Sequence, residues 1–402
     1  MSKGSASQLA LLGGTPVRSS EKSWPAWPMY DEGEKRALLD VLESRSWFYG
    51  ERVAQFEKDF AAFQDARFGI SCNSGTSAIE IALEALSIGE GDEVIVPPYT
   101  FVATASAVMR VGATPVFVDV DKSWCMDPNL VEAAITRRTR AIMPVHFGGR
   151  VCDVDRLRSI AHAHGIALIE DACHSWGAKW EGKGTGALGL CGVFSFQQSK
   201  NITAGEGGII LTDNEHFARL CRSISNCGRV EGAPWYHHVN VGTNARMSEF
   251  HAALLSAQLA RLEAQTIRRE QNAALLNSEL SEIEGLLPQP SSNRITRRAY
   301  HLYCLRIDEE KFGCSREQFL AAAQAEGMPI SSGYPLPLYQ QPVFKKIKHH
   351  DYDQYHLPVV EDLCFKSGMW MIHSVLLAEE EDMRDIVRIV AKIKENAAAL
   401  KP

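Results

Sequence analysis

The sequence predicts an α/β protein, a largely parallel sheet covered on both faces by helices, followed by a smaller α+β domain. Three observations predict it. Short apolar runs without alternation recur between residues 93 and 211. Amphipathic stretches at helical spacing separate them. After residue 240 this rhythm gives way to a long stretch free of Gly and Pro.

Residues 1–30 read as an irregular arm. Trp24-Pro25-Ala26-Trp27-Pro28 cannot be helix interior, because each proline blocks it and restrains the residue before it. Two Trp rings are the means of packing such an arm on the body. From about residue 70, Ile79, Ala82, Leu83 and Leu86 mark one helix face, with Gly89 as the expected stop. The strand candidates are Glu93–Val96, Pro115–Val118, Ala141–Val145, Ile166–Glu170, Val193–Phe196 and Gly208–Leu211. Strands that do not alternate are buried on both faces. Ala245 to Glu284 is Leu/Ala/Glu/Arg-rich and reads as one or two linker helices. Tyr300–Ile307 reads as a strand. Ser315 with Gln318 forms a capping box, and Ile386, Ile389, Val390 and Ile393 line a helix face. The expected division is an arm at 1–30, a large domain at 31–260 and a small domain at 261–402.

The 402 residues carry a formal charge of −7, which offers no field for a polyanion and disfavours nucleic acid as a partner. No apolar run is long enough to span a bilayer, and Met1 to Ser7 is polar, unlike a secretory leader. A cytoplasmic protein is expected. The ten cysteines form no Cys-x-x-Cys pair and read as small buried hydrophobes.

In open parallel sheets, ligands bind at the carboxyl ends of the strands, so the residues there are the candidates for chemistry. Asn73-Ser74-Gly75-Thr76-Ser77 opens the first amphipathic helix and suits either a phosphate cradle or plain helix capping. Glu170-Asp171-Ala172-Cys173-His174 follows a strand. Asp171 suits pairing with a protonated ring nitrogen, a metal, or an N-cap role. Lys200 lies between a strand and Gly205-Glu206-Gly207-Gly208, with hydroxyls at Ser195 and Thr203. A desolvated lysine in such company can form an imine with a carbonyl. Cradle, acid and lysine, in that order, are what a cofactor with a phosphate, a pyridine nitrogen and an aldehyde needs.

These segments, above all Ser195 to Gly208, with Gly91–Asp119 and Ile166–Gly177, resemble the sugar aminotransferases of the DegT/DnrJ/EryC1/StrS family. That family has the fold-type I, aspartate aminotransferase-like architecture. The resemblance implies pyridoxal 5'-phosphate, with pyridoxamine 5'-phosphate as its intermediate form. It implies Lys200 as Schiff-base lysine and proton shuttle, Asp171 on the pyridinium nitrogen, and His174 against one ring face with Phe101 on the other. Gly75, Thr76 and Ser195 are then expected on the phosphate, and Asn244 on the phosphate of a neighbouring subunit, which implies a homodimer with shared active sites. Trp24–Pro28 and Met371–Ala378 look like the cyclitol branch, which includes glutamine-dependent scyllo-inosose aminotransferases and 3-amino-5-hydroxybenzoate synthase. Arg229 and His373 are candidate substrate contacts, with a structural ion pair and a core histidine as the alternatives. Tyr334 is a further candidate, in a Gly333–Tyr339 segment that departs from the family's His-Tyr-x-Pro pattern. The expected small-molecule partners are L-glutamine or L-glutamate as donor and a keto-cyclitol or keto-sugar as acceptor. An aromatising dehydratase and a nucleotide-keto-sugar aminotransferase are the alternatives.

Overall fold

The computed structural model describes residues 8–347 and 350–400; the polar Met1–Ser7 stretch lies outside them. The chain order of strands is β1 (Phe68–Cys72), β2 (Glu93–Val96), β3 (Thr114–Phe117), β4 (Thr139–Ile142), β5 (Ala167–Asp171), a short ribbon β6 (Lys179–Trp180) and β7 (Lys183–Gly184), β8 (Cys191–Ser195) and β9 (Gly208–Thr212). Seven of them form one sheet in the order β1-β9-β8-β5-β4-β2-β3. Pairs β3–β2, β2–β4, β4–β5 and β5–β8 are parallel, and β9 runs antiparallel to both its neighbours. Each of the six apolar runs expected as strands contributes to this sheet, though Ala141–Val145 shares only its first two residues with β4. β1 had not been expected: it pairs with β9 through Phe68↔Thr212 to Cys72↔Gly208.

The helix after β1 spans Gly75–Ala85, with Ser74 accepting a hydrogen bond from the Ser77 N–H. It stops earlier than Gly89. Ser87 takes the left-handed backbone conformation (φ 56°), and the Ile88 N–H returns to the Leu83 carbonyl, so Leu86 is the cap rather than part of the face.

Beyond the sheet, Glu249–Ser281 is one continuous 33-residue helix that runs through residue 260. A second sheet follows, with β10 (Leu286–Pro288), β12 (Leu302–Ile307) and β13 (Gly368–Ile372) antiparallel in that order. Between them in sequence, β11 (Ile295–Arg297) joins the β6–β7 ribbon. Ser315 and Gln318 make the expected capping box. Ile386, Ile389, Val390 and Ile393 are buried with Leu276, Leu280 and Phe319 in a core separate from that of the large sheet. The large sheet's core also takes in Leu302, Tyr339 and Leu363, so the C-terminal third packs directly onto it.

The arm is held by its tryptophans. Trp24 stacks under the Arg18 guanidinium at 3.8 Å and donates to the Gly327 carbonyl; Trp27 donates its Nε1–H to the Gln198 carbonyl at 3.0 Å. No helix among the described residues is long and apolar enough to cross a membrane.

Candidate active site

The carboxyl ends of β1, β5 and β8 open on one side of the sheet, and a cavity of about 610 Å³ lies there. Gly75, Thr76, Phe101, Asp171, His174, Ser195, Lys200 and Tyr334 line it. Eight residues singled out along the sequence thus converge on one space.

The cradle is a close-packed junction. A Cβ on Gly75 would lie 2.7 Å from the Ser195 Cβ, and one on Gly208 would lie 2.3 Å from the Ser74 carbonyl oxygen. Only glycine at both positions lets β8, β9 and the helix start meet, and Ser74, Gly75 and Thr76 of that start line the cavity.

Asp171 ends β5 and is buried. One carboxylate oxygen accepts from Thr104 Oγ1 at 2.7 Å and the other from the Cys173 N–H at 3.2 Å. Thr104 in turn pairs with Thr100 at 3.1 Å. Among the described residues no cluster of His, Cys, Asp and Glu is arranged to hold a metal, so a metal-ligand role for Asp171 lacks partners.

Lys200 is half-buried at the cavity wall. Burial pulls its amine pKa below the usual value, while Cys173 and Asp171 oppose the shift. A larger fraction of the amine is therefore neutral near pH 7 than for a surface lysine. His174 is held well below its ordinary pKa by burial and then by Lys200; its Nδ1 accepts from the Gly148 N–H at 3.4 Å. Phe101 lines the same cavity and is 58% exposed.

Three expected residues do not line this cavity. Asn244 is exposed and bridges to Asn226. Arg229 bridges to His238, with its guanidinium 5.8 Å from the Trp235 ring. His373 is buried behind the lysine segment, bonded to the Ser199 carbonyl and Arg269 rather than to open space. The sequence reading missed Thr104, His301 and Trp370, all at the cavity. The Thr100/Thr104 spacing at a helix start was the sole local signal for the first. His301 and Trp370 arrive from the small sheet and carry none.

The sheet order and the lysine-bearing cavity at its edge define the class, a fold-type I aminotransferase. Sequence comparison takes this further. The chain belongs to the DegT/DnrJ/EryC1/StrS aminotransferase family, whose match spans residues 28–391. It is 39% identical over 422 residues to the L-glutamine:2-deoxy-scyllo-inosose aminotransferase of Micromonospora echinospora, covering 98% of this chain and 99% of that one. It is 36% identical over 385 residues to the 3-amino-5-hydroxybenzoate synthase of Amycolatopsis mediterranei, covering 92% and 96%. A crystal structure of 3-amino-5-hydroxybenzoic acid synthase superposes with a TM-score of 0.86 at 34% identity, over 94% of this chain and 99% of that one.

Proposed function

We propose that this protein is a pyridoxal-phosphate aminotransferase that moves an amino group from L-glutamine or L-glutamate to a keto-cyclitol of aminoglycoside-type secondary metabolism. The observation that carries the reading is the convergence of Lys200, Asp171 and the Gly75–Thr76 helix start on one cavity. The donor set fits the cofactor: an acid for a ring nitrogen, a half-buried amine for an aldehyde, and a helix start with the Thr76 and Ser195 hydroxyls for a phosphate. When bound, the cofactor supplies a carbonyl that captures amines and a ring that draws in electrons.

The chain's own groups then have defined tasks. Asp171, held by Thr104 and the Cys173 N–H, would face the ring nitrogen and favour its protonated form. Lys200 Nζ, its pKa lowered by burial, would take the proton from the donor's α-carbon and hold it for return. His174 and Phe101 would hold the ring between them. Tyr334 and Trp370 form the aromatic wall on the acceptor side, their rings 5.0 Å apart and nearly perpendicular.

The protein acts as a homodimer in the cytoplasm, with Asn244 and Arg229 serving the neighbouring copy's site. That neither lines the cavity of its own chain supports this, as does the exposed apolar segment between them, where Trp235 is 77% and Tyr236 75% exposed. The ten cysteines, all unpaired, suit a reducing compartment.

The test is a panel of keto-cyclitols, nucleotide keto-sugars and an amino-dehydroshikimate-type compound, each offered with glutamine, with products read by mass spectrometry. An aminated cyclitol is expected. Aromatisation of the last compound alone would favour the dehydratase reading, which the likeness to 3-amino-5-hydroxybenzoate synthase supports.

A further inference from the structure

Arg269 lies in the middle of the long helix and is fully buried. Among the described residues no carboxylate pairs with it and its Nε and Nη1 have no hydrogen-bond partner; the Trp27 ring centre lies 5.9 Å from its guanidinium carbon, and burial draws its pKa down to about 9. An unpaired cation inside a protein is expensive, and an apolar side chain of similar length would fill the same space at lower cost. Its one hydrogen bond is therefore the place to look for its purpose. Nη2 donates to His373 Nδ1 at 3.2 Å.

The tautomer of His373 follows from its partners. A guanidinium can only donate, so Nδ1 carries the lone pair. The other ring nitrogen, Nε2, lies 3.0 Å from the Ser199 carbonyl oxygen, which can only accept, so Nε2 carries the hydrogen. That carbonyl and the Lys200 N–H belong to a single planar peptide unit. The Lys200 N–H donates to the Gln197 carbonyl at 2.9 Å, so the unit is held at both edges.

The flanks are tied as well. Trp27 donates to the Gln198 carbonyl and meets the His373 ring edge-on at 4.4 Å. Asn201 donates from Nδ2 to the Ala299 carbonyl, which leaves its Oδ1 to accept from His301 Nδ1 at 3.0 Å.

We propose that Arg269 and His373 are positioning residues for Lys200: a guanidinium-to-imidazole-to-carbonyl hydrogen-bond chain that fixes the peptide unit from which the lysine side chain springs. This rests on Lys200 being the residue that captures the cofactor aldehyde. The arm contributes through Trp27, so three separate parts of the chain aim one amine.

The test uses the full-length protein with added pyridoxal phosphate. One readout is the rate at which visible absorbance of covalently held cofactor develops, with its attachment to Lys200 mapped after borohydride reduction. A second is the affinity for pyridoxamine phosphate, which has no aldehyde to capture. His373→Phe keeps a ring and loses the donor; His373→Gln offers an amide N–H near Nε2; Arg269→Met removes the guanidinium. Misaiming a reacting group by about 1 Å costs up to about a hundredfold, so His373→Phe is expected to slow capture at least about tenfold. Its pyridoxamine phosphate affinity should stay within about twofold, His373→Gln should recover most of the rate, and Arg269→Met should fall between. Capture by His373→Phe at the wild-type rate overturns the proposal. So does an equal loss of capture and pyridoxamine phosphate binding, or failure of both His373→Phe and Arg269→Met to fold, since the pair would then be structural support only. If His373→Phe alone fails to fold, Arg269→Met decides by the same readouts. A wild-type protein that gives no label on Lys200 sinks the cofactor reading instead.

Discussion

The lysine segment and the segment that follows the next helix are built in opposite ways. Residues 195–208 are anchored from every side: Trp27 from the arm, His373 from the small sheet, Gln258 donating no slack to Thr203, whose N–H it accepts at 2.9 Å. Residues 229–243 carry Trp235, Tyr236 and Val241, the last 96% exposed, and little of their own chain covers them. Large exposed apolar groups in a contiguous stretch mark a surface meant for a partner. The contrast teaches that the lysine side of the cavity is braced within a single chain, whereas the 229–243 segment leaves its apolar side chains open to a partner.

The comparison is broken or sharpened by removing parts from each region. The largest effect belongs to the anchored side. Lys200→Ala should cut turnover by about 10³-fold or more, measured as amino product with the saturating donor; turnover near wild type would remove its central role. Asp171→Asn should lower kcat by roughly 10²-fold, because a neutral amide cannot balance a protonated ring nitrogen. Thr104→Val, which strips one bond from that carboxylate, should cost about tenfold.

On the exposed side, Trp235→Ser combined with Tyr236→Ser should shift the protein toward monomer in sedimentation and lower turnover in step. A double variant that stays dimeric and fully active would remove this segment from the interface.

A pH test separates the regions again. His174, His301 and His373 are all held well below the usual histidine pKa, chiefly by burial. The unfolded chain therefore binds protons that the folded chain refuses. Stability is full above about pH 6.5 and falls as pH drops from there toward the folded values, by up to about 1.4 kcal/mol per pH unit for each histidine. Chemical denaturation from pH 7.5 to 5 checks this; replacing His301 by Asn should flatten the slope by about one proton. The smallest effect lies far from both regions. Ser315→Ala removes a cap in the small domain and should cost about 1 kcal/mol of stability while turnover holds.

Much of this was legible in the sequence because it is local. Strand ends, a helix start and the Gly-rich stretch after Lys200 are read within a dozen residues of one another, and the sheet's periodicity says that such ends share an edge. What was not legible is juxtaposition. Thr104 reaches Asp171 across 67 positions, and His301 meets His174 with ring centres 4.3 Å apart from a different sheet. The Thr100/Thr104 spacing marks a helix start but not its partner, and His301 carries no local mark at all. The early stop at Leu86 shows a subtler loss: Ser87 supplies the left-handed residue two positions before the glycine that composition nominates. The helix after residue 245 was recognisable from its residues, but nothing in them said that it continues unbroken from Glu249 to Ser281.

That continuity has a mechanical consequence. At 1.5 Å per residue the helix is a strut about 50 Å long. At its first turn, the Glu249 carboxylate takes the Gly50, Arg52 and Val53 amides; two-thirds along, Asn272 grips the Leu376 and Ala378 carbonyls. A tilt of the C-terminal body against the sheet would have to bend this beam or tear one of its clamps. Any closure over the cavity is thereby left to side chains and loops.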